Sequence, residues 1–95
     1  MIGKKVIIRG DRSGVFFGTL KAKDGNEVTM ENCRRLWFWR GAASISQIAM
    51  EGVKQPDKCF FTVSVDEIII TDVIEIISCT ETAAKCIEGV EEWKI

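Results

Sequence analysis

One segment, Arg34-Arg35-Leu36-Trp37-Phe38-Trp39-Arg40-Gly41-Ala42-Ala43-Ser44, concentrates guanidinium and indole groups. On an extended strand the side chains alternate. Leu36 and Phe38 then share one face, with Arg34 and Arg40 at its ends, while Arg35, Trp37 and Trp39 share the other. A core absorbs one of these faces, either Leu36/Phe38 or the tryptophan pair. With the tryptophans outside, the segment becomes an aromatic shelf flanked by arginines. A base stacks on such a shelf for about 1–3 kcal/mol, and arginine grips phosphate bidentately. The Gly41–Ser44 link adds backbone N–H groups at a helix start, a further anion site. Trp37, Trp39, Arg34, Arg35, Arg40 and Ser44 are therefore the candidate ligand-binding residues, for a small anionic, nucleotide-like ligand. The same residue types also suit core packing or a homo-oligomer interface. Shelf and interface are compatible if the ligand sits between subunits.

Other chemistry is sparse. The chain has no histidine, which removes Ser-His and Cys-His catalysis and the commonest metal ligand. No pair of carboxylates is spaced for acid–base work, so no enzymatic activity is expected. Cys33, Cys59, Cys79 and Cys86 contain no C-x-x-C pair, and no structural metal site or cofactor is expected from them. Buried small hydrophobe is the default for all four. Cys33 precedes Arg34 and Arg35, which would lower its thiol pKa. Asp66, Glu67, Asp72 and Glu75 cluster without the regular ligand spacing of a cation loop.

The chain's 95 residues and 46% apolar fraction fit one globular domain spanning 1–95. Uninterrupted apolar runs reach four residues at most, far short of a membrane span. Without a signal-peptide pattern at Met1-Ile2-Gly3-Lys4-Lys5, a cytoplasmic location is expected. Net charge is −1 but unevenly spread: residues 1–58 carry 11 Lys and Arg against 6 Asp and Glu, and residues 59–95 carry 2 against 8. Such a split makes either an anion-binding N-terminal part, self-association of basic on acidic surfaces, or intramolecular neutralisation. A pI near 5.4 lacks the basic footprint of a long-nucleic-acid binder.

The elements that would position these groups follow from periodicity. Lys4–Arg9 is a first strand, ended by the turn cluster Gly10–Gly14. Val15–Lys23 is a second, with Phe16, Gly18, Leu20 and Ala22 toward the core and Gly18 marking a sharp bend. Asp24-Gly25-Asn26 is a hairpin signal leading into a long third strand from Glu27 to about Trp39. Ser44 with Gln47 forms a capping box for a short helix whose apolar side is Ile45, Ile48 and Ala49, stopped at Gly52. Cys59–Val65 is a fourth strand with Phe61, Val63 and Val65 on one face. Glu67–Ile70 and Val73–Ile77 are a final strand or strands, broken at Thr71-Asp72. Thr80 caps a second helix to about Val90 with Ala83, Ala84, Ile87 and Val90 inward, and Trp93 anchors the tail.

The expected fold is mainly β (α+β): a small, strongly bent, five- or six-stranded antiparallel barrel with one short helix after strand three and a C-terminal helix. Lys5–Arg9 through Gly14–Leu20 to Asp24–Met30 resembles the opening strands of an SH3-like or Sm-like barrel. Arg34–Val53, with Pro56 and Ile74–Thr80, resembles a family of small uncharacterised bacteriophage and prophage proteins. That resemblance implies a phage accessory protein in the host bacterial cytoplasm. By analogy with counter-defence proteins it implies a homo-oligomeric sponge that sequesters a nucleotide immune signal. The alternatives are a protein–protein module that inhibits a host defence protein, or a phage structural subunit.

Overall fold

In a computed structural model all 95 residues are described. Strand β1 (Lys5–Gly10) is followed by β2 (Val15–Asp24) and β3 (Glu27–Phe38), then helix α1 (Ile45–Glu51) and a 3₁₀ turn at Pro56–Lys58. Two-residue β4 (Phe60–Phe61), β5 (Val65–Ile70), β6 (Val73–Ser78) and helix α2 (Glu81–Gly89) complete the chain. The sheet order is β4-β3-β2-β1-β6, with β5 also pairing β3, and every pairing is antiparallel. The β-rich α+β expectation holds. Closure does not: β5 and β6 follow each other in sequence yet lie at opposite ends of the sheet, with no ladder between them.

Both faces of the sheet are buried, which explains why β1 reads as a continuous Val6-Ile7-Ile8 run rather than an alternation. Val6, Ile8, Phe16, Leu20, Met30 and Cys33 pack in one core with Ile70 and Val73. Ile7, Phe17 and Leu36 face a second core, made with Ile48 and Ala49 of α1, Phe61 of β4, and Ala84 and Ile87 of α2. Phe17 is therefore as buried as Phe16, while Ala22, expected inside, lies beyond the covered part of β2 and is exposed. Fully burying each such side chain contributes roughly 1.5–3 kcal/mol.

Gly18 stands where β3 bulges against β2. A Cβ there would lie 2.9 Å from both the Cys33 Cα and the Glu31 carbonyl oxygen. The extra residue on β3 is Asn32, with φ 49.

The capping box is present: Gln47 N–H donates to the Ser44 hydroxyl at 3.2 Å, and the Gln47 side-chain oxygen accepts from Ala43 N–H at 2.7 Å. Thr80 caps α2 through Ala83 N–H at 3.0 Å. The fourth strand is shorter than Cys59–Val65, because the chain leaves the ladder after Phe61. Val63 is consequently exposed, and Val65, which opens β5 opposite Cys33, is exposed too instead of sharing an inward face with Phe61.

The uneven charge is partly neutralised within the molecule. Lys5–Glu88, Arg9–Glu75 and Lys21–Glu67 each join a base of the first half to an acid of the second. These pairs are exposed and contribute at most about 1 kcal/mol each. They nonetheless leave Arg12, Arg35 and Arg40 as exposed or part-exposed arginines without a carboxylate partner.

Candidate functional site

Segment 34–40 is divided among three environments. Arg34 is only 4% exposed. Its guanidinium donates to four carbonyl oxygens: Thr62 at 3.0 Å, Phe61 at 3.0 Å, Ile87 at 2.9 Å and Val90 at 2.8 Å. Ile87 and Val90 lie at the C-terminal end of α2, where unpaired carbonyls attract a cation. Phe61 and Thr62 mark the point where β4 leaves the sheet. One side chain thus satisfies a helix end and a strand end together. Burial lowers the Arg34 pKa, against an opposing pull from Glu92. The expectation that Arg34 holds phosphate bidentately is corrected: four of its five N–H donors are spent on the fold.

Trp37 and Trp39 do not form a joint shelf. Leu36 pairs with Phe61 and Phe38 with Phe60, so β3 carries a bulge at Trp37 and simple alternation fails there. Beyond Phe38 the strand ends, and Trp39 turns back to pack on the helix-facing core. Trp37 stays 58% exposed. Its neighbours are Trp93, with ring centroids 5.0 Å apart, and Phe60 at 6.0 Å. Phe60 stacks on Trp93 at 5.2 Å and lies 5.5 Å from Phe38. Four partly exposed rings therefore make one continuous aromatic surface. Arg40 lies over its edge, 5.6 Å from the Phe38 centroid.

Phe60 and Trp93 are site residues that sequence reasoning did not assign. Trp93 reaches the cluster because the tail runs alongside β4: Trp93 N–H donates to the Phe61 carbonyl at 2.8 Å, and Phe61 and Glu92 form a parallel bridge. The available signal for Phe60 was its place beside inward-facing Phe61 on a strand, which puts it outward.

Arg35 lies apart from this surface, over the Phe16 ring at 4.6 Å. Ser44 is also removed from ligand duty. Its hydroxyl caps α1, and Ala43 N–H is already bonded to Gln47. Stack, guanidinium fork and helix end do not converge on one point.

Cys33 and Cys59 are buried as expected, but the expected lowering of the Cys33 thiol pKa is reversed. Burial raises the Cys33 thiol to about 12, outweighing the smaller lowering by Arg35. All four cysteines are free, and no group of three His, Cys, Asp or Glu side chains is arranged to hold a metal ion. The acidic residues of β5, β6 and the turn between them part to separate neighbours: Glu67 to Lys21, Glu75 to Arg9, and Asp72 to the β1–β2 loop. No helix is long and apolar enough to cross a membrane.

These features define a small α+β domain distinguished by an exposed aromatic surface with a cationic rim. Residues 3–87 match the family described as a domain of unknown function (DUF6948), and the chain belongs to that family. No curated protein and no solved structure matches the chain.

Proposed function

We propose that this protein is a non-catalytic binding protein that captures a small anionic, nucleotide-like ligand on its aromatic surface. The observation that carries the reading is the continuous ring cluster of Trp37, Phe38, Phe60 and Trp93 with Arg40 at its edge. Stacked, half-exposed rings bind a base through its π-face, and an unpaired guanidinium meets phosphate at the rim. Trp37 is the stacking residue and Arg40 the phosphate contact. The resemblance to phage and prophage proteins gives this capture a setting in the host bacterial cytoplasm, as a sponge for a signalling nucleotide. Two unpaired sheet edges, β5 and β6, with Ile69 and Ile74 exposed on them, support homo-oligomerisation.

Native mass spectrometry of the protein purified from infected or defence-expressing cells tests the reading. An oligomer carrying an extra mass of nucleotide size supports it. In a titration with mono-, di- and cyclic oligonucleotides, Trp37→Ala and Arg40→Ala are expected to abolish quenching of tryptophan fluorescence while the fold remains intact. A bare monomer that answers to no nucleotide refutes it.

The width of the aromatic surface favours a second reading, a protein–protein module that occludes a host protein. Four clustered rings with exposed Val63 also have the composition of an interface anchor. Stoichiometric recovery of one host protein with the wild type, and its loss with Trp37→Ala, would establish that reading instead.

A further inference from the structure

A second site lies away from the aromatic surface, in a groove of about 360 Å³ between the β1–β2 loop and β5. Arg12 and Arg35 both line it, and neither has a carboxylate partner. We propose that this groove binds a phosphate-class oxyanion carried on a small apolar body, with Arg12 and Arg35 as the two guanidinium contacts.

The walls fit that chemistry. Ile68 and Ile69 supply an apolar side along β5, and Ser13 and Thr71 supply polar groups at the mouth. Arg35 is held in position before any ligand arrives: its guanidinium lies over the Phe16 ring at 4.6 Å, and its Nε would be 3.8 Å from a Cβ on Gly14. The absence of a side chain at Gly14 leaves that flank open.

The loop carrying Arg12 is fixed just as firmly. Asp72 accepts from Arg12 N–H at 2.8 Å, Ser13 N–H at 2.9 Å and the Ser13 hydroxyl at 2.5 Å. Asp11 N–H donates to the Asp72 carbonyl at 2.8 Å. Asp72 is the one acidic group lining the groove, and its carboxylate oxygens already accept these three hydrogen bonds. Two guanidinium charges against one carboxylate leave the groove net cationic. The clamp engages Arg12 only through its backbone, so the Arg12 side chain is free for a ligand. Arg35, already resting on Phe16, loses little rotamer freedom on binding, while Arg12 is brought to the groove by its fixed backbone.

The site shares no aromatic residue with the proposed nucleotide surface and is tested separately. Inorganic phosphate is titrated into the full-length chain at constant ionic strength and followed by backbone amide NMR. Saturable shifts are expected at Arg12, Ser13 and Thr71. Arg12→Ala keeps the backbone bond to Asp72, so the fold persists while affinity falls about tenfold, the loss of one charge-assisted contact. Arg35→Lys retains charge without the fork and is expected to weaken binding similarly. Trp37→Ala is expected to leave the phosphate response unchanged, which separates this site from the aromatic reading. Three results overturn the proposal: shifts that never saturate or appear equally with chloride, an unchanged response in folded Arg12→Ala, or loss of the response in Trp37→Ala. Acetate saturating as tightly as phosphate would assign the groove to carboxylates and overturn the phosphate assignment.

Discussion

Replacing Arg34 by methionine preserves much of the side-chain volume and removes all four hydrogen bonds to Thr62, Phe61, Ile87 and Val90. Each bond from a charged donor contributes at least about 1.5 kcal/mol, so four contribute about 6 kcal/mol before costs. Removing the arginine also removes the cost of burying a cation, and the Phe61 and Ile87 carbonyls keep the Trp93 and Val90 N–H groups, but the Thr62 and Val90 carbonyls lose their donor. Leaving a buried acceptor unsatisfied costs about 1–3 kcal/mol, so the two carbonyls together cost about 4 kcal/mol at the middle of that range. For a domain of this size each kcal/mol shifts Tm by roughly 4–8 °C. Arg34→Met is therefore expected to lower Tm by about 15 °C or more, measured by circular dichroism or calorimetry. Arg34→Lys, with a point charge and three donors, is expected to fall between the variant and the wild type. A folded Arg34→Met with Tm within about 3 °C of wild type, a shift worth less than 1 kcal/mol, would show that water or neighbouring groups replace the guanidinium. The assignment of Arg34 to the fold would then be wrong. Ligand binding lost at unchanged Tm would return Arg34 to the phosphate role.

Four other outcomes are expected. Trp39→Ala, at a residue packed on the helix-facing core, should destabilise by roughly 2–3 kcal/mol in denaturant unfolding, below the ~3–5 kcal/mol of a fully buried tryptophan; Trp37→Ala should leave the unfolding midpoint nearly unchanged. Gly18→Ala places a Cβ 2.9 Å from backbone atoms of β3 and should cost about 1–3 kcal/mol by the same measurement. Hydrogen bonds from Ser13 and Arg12 lower the Asp72 pKa, so its stabilisation is full above the unfolded carboxyl range near ~4 and is lost as pH falls through the lower folded value. The stability gap between wild type and Asp72→Asn should accordingly shrink on acidification, and a gap that widens refutes the clamp. Burial raises the Cys33 thiol to about 12 and the Cys79 thiol to about 11, so an aromatic disulfide reagent at pH 8 should react slowly with both until denaturant is added.

The parts of the fold set by local rules were legible in the chain. Ser44 with Gln47, Thr80 and the Asp24-Gly25-Asn26 turn announce helix starts and a hairpin through short-range chemistry, and each stands where that chemistry puts it. What was hidden depends on long-range partners. Nothing local to Val63 and Val65 reveals that the ladder stops at Phe61, because the chain departs where Arg34 takes the Phe61 and Thr62 carbonyls. Phe17 reads as an outward residue by alternation, and becomes inward because helices cover the second face of the sheet. Trp93 joins Trp37 only through the pairing of the tail with β4. The aromatic character of the site was visible in segment 34–40, but its membership was not. A single bulge at Trp37 is enough to send two tryptophans two residues apart to different environments.

On the proposed reading, that division is also what suits segment 34–40 to binding. Arg34, Leu36 and Trp39 face the interior and tie β3 to β4, α1 and α2. Between them Arg35, Trp37 and Arg40 are left on the outside, carried by backbone whose neighbours are immobilised. Exposed aromatic and cationic groups on a loose loop would have to be ordered by the ligand, at roughly 0.5–1.5 kcal/mol for each side chain. Here the ordering is done by folding. Arg35 rests on Phe16, Trp37 on Trp93, and Arg40 over Phe38. On the proposed reading, the buried and exposed members of the segment have separable signatures. Substitutions at 34, 36 and 39 should lower stability, whereas substitutions at 37 and 40 should lower affinity for the nucleotide-like ligand alone and substitutions at 35 should lower phosphate affinity alone.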